Sequence, residues 1–306
     1  MCDLVGLRKV TGAEGVTAFR HKARELQDKQ RNGRHEDDRS TRSARSRRST
    51  WLRGTKEPEP LKGVVLAAGY ATRLYPLTLN QPKHLLEVGG RPILERLLGQ
   101  LAEIEGLDHV YVVTNAKFAD RFREFAASWQ GPFALTIVDD GTMSDEDKLG
   151  AIGDLALVIR QQGIDDDLLV AAGDSIFGEG GLDEFARLGR AKNAPVTAVF
   201  DVGDLEAVRR YSAITTDADG RIAAFEEKPE QPETTLAGIA LYYYPRSALP
   251  LIDRYLAEGN NPDQPGRLVE WMYQRKPFYV WQVPGRWYDI GSPETLEQAD
   301  REFSQS

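Results

Sequence analysis

From residue 61 onward, short apolar, β-branched runs alternate with stretches whose apolar residues recur every three or four positions, and few folds satisfy that alternation. Residues 63–68, 109–114, 135–139, 168–172, 196–202, 213–216, 236–244 and 278–283 predict strands. Between them, 92–104 places Pro92 at a helix start and Ile93, Leu94, Leu97, Leu98 and Leu101 on one stripe, and 117–129 repeats this with Phe118, Phe122 and Phe125. Residues 149–161 and 182–192 supply two more helices. Near-continuous apolar strands separated by helices predict an α/β fold, a mainly parallel sheet covered on both faces. After Val196 the strands follow one another more closely and Asp217-Ala218-Asp219-Gly220 forms a hairpin turn, so an added mixed or antiparallel portion is expected.

The chain has 306 residues, 41% of them hydrophobic, enough for a real core and incompatible with wholesale disorder, collagen or a coiled coil. Charge divides it. Residues 1–60 hold 15 Lys and Arg against 9 Asp and Glu, whereas the remaining 246 hold 24 against 38. The first part, with an Arg/Ser tract over 39–50, buries too little to offset its ordering entropy and is expected to be a disordered basic arm, with at most a short helix at 18–29. Arg42, Arg45, Arg47 and Arg48 are better explained as a solvated tail than as a nucleic-acid-binding arm. Residues 61–306 then form the functional domain. Cys2 is the single cysteine, which excludes internal disulfides and thiolate metal clusters and fits a reducing, cytoplasmic setting. No apolar run approaches the roughly 20 residues needed to cross a bilayer, and the N-terminal residues lack the apolar segment of a secretory signal.

In such sheets ligands sit beyond the carboxyl ends of the strands, so the segments that follow the strands should carry the chemistry. After the first strand, Ala68 and Gly69 open a small-residue loop in which backbone amides can approach a phosphate and Arg73 can contact its oxygens; Pro82-Lys83 adds a second cation. The loop is neither a Walker loop, since no Gly-Lys-Ser/Thr follows, nor a dinucleotide fingerprint, since the glycine spacing fails. After the strand at 168–172, Asp174 places a carboxylate at the end of an apolar run, where it should hold a cation or accept hydrogen bonds. His84 and the run Tyr242-Tyr243-Tyr244 are expected to be structural.

The string Gly69-Tyr70-Ala71-Thr72-Arg73-Leu74-Tyr75-Pro76-Leu77-Thr78, Pro82-Lys83, Val88-Gly89-Gly90-Arg91-Pro92 resembles the signature of the sugar-phosphate nucleotidyltransferase family, with Ala71 where that family commonly has glycine. Three later segments resemble it in the same order. Gly150-Ala151-Ile152-Gly153 is similar to the base-recognition segment, preceded by an insertion at 140–148 that can lie over the base. Gly173-Asp174-Ser175 is similar to a metal-binding Gly-Asp-Asn. Glu226-Glu227-Lys228-Pro229 with Gly238, then Trp287-Tyr288-Asp289-Ile290-Gly291-Ser292, are similar to the acceptor site and the second metal-binding segment.

The resemblance implies a Rossmann-like, mixed sheet of the nucleotide-diphospho-sugar transferase type. It also implies transfer of an NMP group from an NTP (dTTP, UTP or CTP) to a sugar 1-phosphate. Arg73 and Lys83 would be catalytic, and Ala68, Gly69, Gly150 and Ala151 would bind nucleotide. Glu227, Lys228 and Gly238 would bind the acceptor, and Asp174 and Asp289 would bind Mg²⁺. Two alternatives are a cytidylyltransferase acting on an alcohol phosphate such as phosphocholine and a non-catalytic, nucleotide-binding regulatory relative; a homo-oligomer is compatible with all of them.

Overall fold

The computed structural model describes residues 60–178 and 180–304; Cys2, the Arg/Ser tract and the helix expected at 18–29 lie outside the described residues. In chain order the strands are β1 (Leu61–Leu66), β2 (Glu87–Val88), β3 (Arg91–Pro92), β4 (Leu107–Thr114), β5 (Ala134–Asp139), β6 (Asp167–Ala172), β7 (Ser175–Phe177), β8 (Val196–Asp201), β9 (Ser212–Thr216), β10 (Ile222–Glu227), β11 (Leu236–Tyr244), β12 (Tyr279–Gln282) and β13 (Trp287–Asp289). The α-helices are α1 (Ile93–Leu101), α2 (Ala119–Ser128), α3 (Ala151–Gln162), α4 (Leu182–Lys192), α5 (Leu205–Val208), α6 (Leu249–Ala257), α7 (Pro265–Met272) and α8 (Pro293–Phe303).

Strands β5, β4, β1 and β6 lie side by side and parallel, as their apolar runs predict. The sheet then changes character. β11 pairs antiparallel with β6 through its second half and with β9 through Ala237 and Gly238, while its other edge carries β8. β10 adds antiparallel to β9 through the turn at Asp217–Gly220, and β12 adds parallel to β8. The sheet is therefore mixed, with its antiparallel part drawn from the closely spaced later strands.

Both faces are covered. On β1, β4 and β6, Val65, Val110, Val112, Leu169 and Ala171 point to the α1, α2 and α4 side, while Val64, Tyr111, Val113, Leu168 and Val170 point to the α3, α6 and α7 side. This is the period-2 alternation of a strand with apolar residues at both phases. The expected stripe on α1 is fully buried, and Tyr242, Tyr243 and Tyr244 are all core. Gly189 on α4 is needed for the close approach, since a Cβ there would sit 2.2 Å from Cδ1 of Tyr243. A third, smaller core of Val88, Ile93, Ile176, Ile290 and Ala299 lies under the β7–β13 ribbon.

The chain leaves β1 toward β4 and β5, then returns to place β6 on the opposite side of β1. The carboxyl ends of β1 and β6 therefore flank a topological switch point, where a crevice opens.

Candidate active site

A cavity of about 400 Å³ opens at that switch point, within the range of small-molecule sites. Every site residue expected from the sequence lines it: Ala68, Gly69 and Arg73 after β1, Lys83, Gly150 and Ala151 at the start of α3, Asp174 after β6, Glu227 and Lys228 at the end of β10, Gly238 in β11, and Asp289 in β13.

The loop after β1 is fixed by its backbone. Ala67 donates to the carbonyl of Val113, and the buried Asn115 side chain donates to the carbonyl of Ala68. Ala71 takes φ 49° and ψ 43°, the left-handed conformation in which an alanine costs roughly 1 to 2 kcal/mol relative to the ordinary helical region. Thr78 donates to the Ala71 carbonyl and holds it there. The following one-turn helix buries Leu74 and leaves Arg73 exposed on the cavity.

Pro82, extended, starts a second one-turn helix that carries Lys83 into the site. The Lys83 ammonium donates to Asp174, and this pair decides the Asp174 charge: burial opposes ionisation, but Lys83 holds the carboxyl below its ordinary range. Next to it, His84 is buried, and burial together with Lys83 pushes its imidazole down to about 3. A neutral ring packed 6.0 Å from Phe122 is the structural role expected of it. It also explains Gly173, where a Cβ would come within 2.8 Å of the ring.

Asp174 and Asp289 are 115 positions apart in sequence, and spacing alone could not join them. The antiparallel pairing of β7 with β13 does so: Asp289 faces Ser175, and the Ile290 amide donates to the Asp174 carbonyl at 3.1 Å. Ile176 and Ile290 anchor both strands in the third core. A Ser292–Thr295 capping box at α8 ties down the chain just beyond Asp289. Burial and the neighbouring Asp174 charge push Asp289 up to about 6, the signature of two carboxyls awaiting more positive charge than Lys83 provides. Among the described residues no group of three or more His, Cys, Asp or Glu side chains is arranged to hold a metal, so a divalent ion here would have two protein carboxylates and take its remaining ligands from phosphates and water.

On the opposite wall Glu227 is buried and accepts from Ser212, its carboxyl raised by desolvation. Lys228 sits at φ 52° and its amide donates to the Tyr211 carbonyl at 2.8 Å. Three expectations need correction. Glu226 and Glu227 belong to a strand rather than a loop. Gly238 lies inside β11, where a Cβ would meet Ile214 Cδ1 at 2.8 Å, so strand packing requires it in addition to the cavity it lines. The start of α3 does not offer all its amides to a ligand: Ala151 donates to Asp263 and Ile152 to Pro262.

The sequence reading missed several lining residues. Tyr70, Asp140, Asp154, Tyr211, Ser212 and Gly266 also face the cavity. Asp154 had a local signal, since it stands one turn after Gly150 and one before the buried Val158 on the same row of α3. Tyr211 and Ser212 had none.

Comparison with known proteins follows the same geometry. Residues 62–306 match the family model described as nucleotidyl transferase, and the chain belongs to that family. It is 33% identical to the mannose-1-phosphate guanylyltransferase of Mycobacterium tuberculosis over 76% of this chain and 61% of that protein. It is 23% identical to the bifunctional protein GlmU of Methanocaldococcus jannaschii over 79% and 54%. The chain thus spans between about half and under two thirds of the length of these relatives. The solved structure of a UDP-glucose pyrophosphorylase complexed with UDP-glucose shares the fold with TM-score 0.68 at 21% identity, covering 80% of this chain and 99% of that one.

Proposed function

We propose that this protein transfers an NMP group from a nucleoside triphosphate to a sugar 1-phosphate, releasing pyrophosphate. One observation carries the reading: two cations, Arg73 and Lys83, and two carboxylates, Asp174 and Asp289, reach a single cavity from separate segments, opposite a second wall bearing Glu227 and Lys228. Membership of the family and relatives named for guanylyl transfer to mannose 1-phosphate support it.

The reaction needs no protein nucleophile. An oxygen of the acceptor phosphate attacks the α-phosphorus in line, the bond to the bridging oxygen breaks, and pyrophosphate leaves with the electron pair. What the protein supplies is positioning of two mutually repelling anions and charge for the leaving group. Arg73, exposed beside the Gly69 loop, serves the triphosphate; Lys228 serves the acceptor phosphate; and Glu227, fixed by Ser212, accepts from sugar hydroxyls. Lys83 neutralises Asp174 and faces the same phosphates. Asp174 and Asp289 would hold Mg²⁺, which when bound supplies positive charge to phosphate oxygens of both substrates.

Pyrophosphate release in the presence of Mg²⁺ tests the proposal. Arg73→Ala and Asp174→Asn are expected each to lower kcat/KM by at least about 100-fold with an unchanged melting temperature. Release near the wild-type rate in either variant removes the assignment.

A further inference from the structure

The wall beside Gly150 contains a pair of acidic side chains that the transfer reaction does not use. Asp140 follows β5, and Asp154 lies in the first turn of α3; both line the cavity. Asp154 is 6% exposed, and its Oδ1 has no hydrogen-bond partner. Asp140 Oδ1 is occupied by the Thr142 amide at 2.7 Å and the Thr142 hydroxyl at 2.8 Å. The two carboxyls are hydrogen-bonded to each other, with Asp154 raised to about 8 by burial and by Asp140, so Asp154 carries the shared proton and gives it to Asp140. What the pair turns toward a ligand is an acceptor oxygen with negative charge behind it.

Such a wall repels phosphate. Its nearby cation, Lys148, is already engaged by Asp263 at 3.2 Å and Asp145 at 3.4 Å. It therefore suits an uncharged part of the nucleotide. The backbone donors that a carbonyl-bearing base edge would need are reduced, because the amides of Ala151 and Ile152 are taken by Asp263 and Pro262. Tyr70, the other polar group on this wall, is paired with Thr142.

We propose that the Asp140–Asp154 pair reads the base of the nucleotide and selects one carrying an exocyclic amino group, cytosine, guanine or adenine, over uracil and thymine. An amino group donates to the free oxygen of Asp154, whereas uracil and thymine present carbonyl oxygens on both sides of their single ring N–H, and each would face an acceptor. Of dTTP, UTP and CTP, only CTP passes this filter. The inference rests on the transferase reading for the orientation of the nucleotide, with its base toward Gly150.

The test uses the full chain and Asp154→Asn, which keeps the shape and replaces an acceptor with an amide that can donate to a carbonyl. Pyrophosphate release is measured for GTP, CTP, ATP, UTP and dTTP with a panel of sugar 1-phosphates, and binding of each triphosphate with Mg²⁺ is measured separately by calorimetry. In the wild type the best amino-bearing triphosphate is expected to exceed UTP and dTTP by at least about 100-fold in kcat/KM. In Asp154→Asn that ratio is expected to fall at least about tenfold. A wild-type preference for UTP or dTTP, or an unchanged base ratio in the variant, overturns the inference while leaving the transferase reading standing. Selective binding of amino-bearing triphosphates without turnover supports the inference and removes the transferase reading. A change confined to the ratio of ribo- to deoxyribonucleotide assigns the carboxyl to the sugar and overturns the inference, as does failure of every triphosphate to bind.

Discussion

Asp154 records its surroundings in its titration. Its folded pKa, raised to about 8 by burial and by Asp140, lies well above the ordinary carboxyl value, so folding favours its protonated form. The sign follows from linkage. The contribution is fully present below about pH 4 and is lost as pH rises through about 8, at no more than about 1.4 kcal/mol per pH unit. Asp154→Asn cannot titrate, so its stability should gain on the wild type between those limits, with parallel curves above them. Urea midpoints at four pH values across that window check this, and parallel curves throughout would show that the carboxyl is ionised in the fold. At this scale, legibility depended on whether a residue's role has a local spelling. Arg73, Lys83 and Asp174 stand in strings whose chemistry shows along the chain, and all reach the cavity. Tyr211 and Ser212 reach it only because β9 pairs with β10 and β11, and no neighbouring residue announces that.

Elements differ in the same way. Helices α1 and α4 were visible as apolar stripes, whereas β7 and β13, three residues each, are too short to show a period, and each exists through pairing with the other. Yet that ribbon sets Asp174 beside Asp289. Helix α8 did carry a readable start, Ser292 followed by Pro293 and Thr295, which the reading passed over in favour of the motif just before it. Helix α7 is the element whose role was least expected. Its second residue, Gly266, packs against Glu227, and a Cβ there would lie 1.9 Å from Glu227 Oε2 and 2.9 Å from Ser212 Oγ. Gly266→Ala should therefore displace the Glu227 carboxylate from Ser212 while leaving the Arg73 and Asp174 segments undisturbed. The expected result is a KM for the sugar phosphate raised roughly tenfold, since losing one hydrogen bond to a charged group is worth about 1.5 kcal/mol, with KM for the triphosphate unchanged. Equal increases in both KM values would mean that α7 supports the whole cavity and not the acceptor wall alone.

Over the whole molecule the field opposes the substrates. The chain carries a net charge of −8, but residues 56–306 alone hold 25 Lys and Arg against 40 Asp and Glu. Both substrates are anions, so the local cations must overcome a long-range repulsion that the basic N-terminal residues partly offset. That offset reaches only as far as salt permits: about 30 Å at 0.01 M ionic strength, but about 8 Å at 0.15 M. A chain beginning at Lys56 keeps every described residue, so its melting temperature should match that of the full chain. Its KM for the triphosphate should be higher by roughly two- to fivefold at 0.01 M salt, and the difference should vanish by 0.15 M, because what was removed is net charge and not a contact. A gap of the same size at both salt concentrations would instead mean that the first 55 residues touch the nucleotide. Equal KM values at low salt would mean that the cations in the cavity screen the acidic exterior completely.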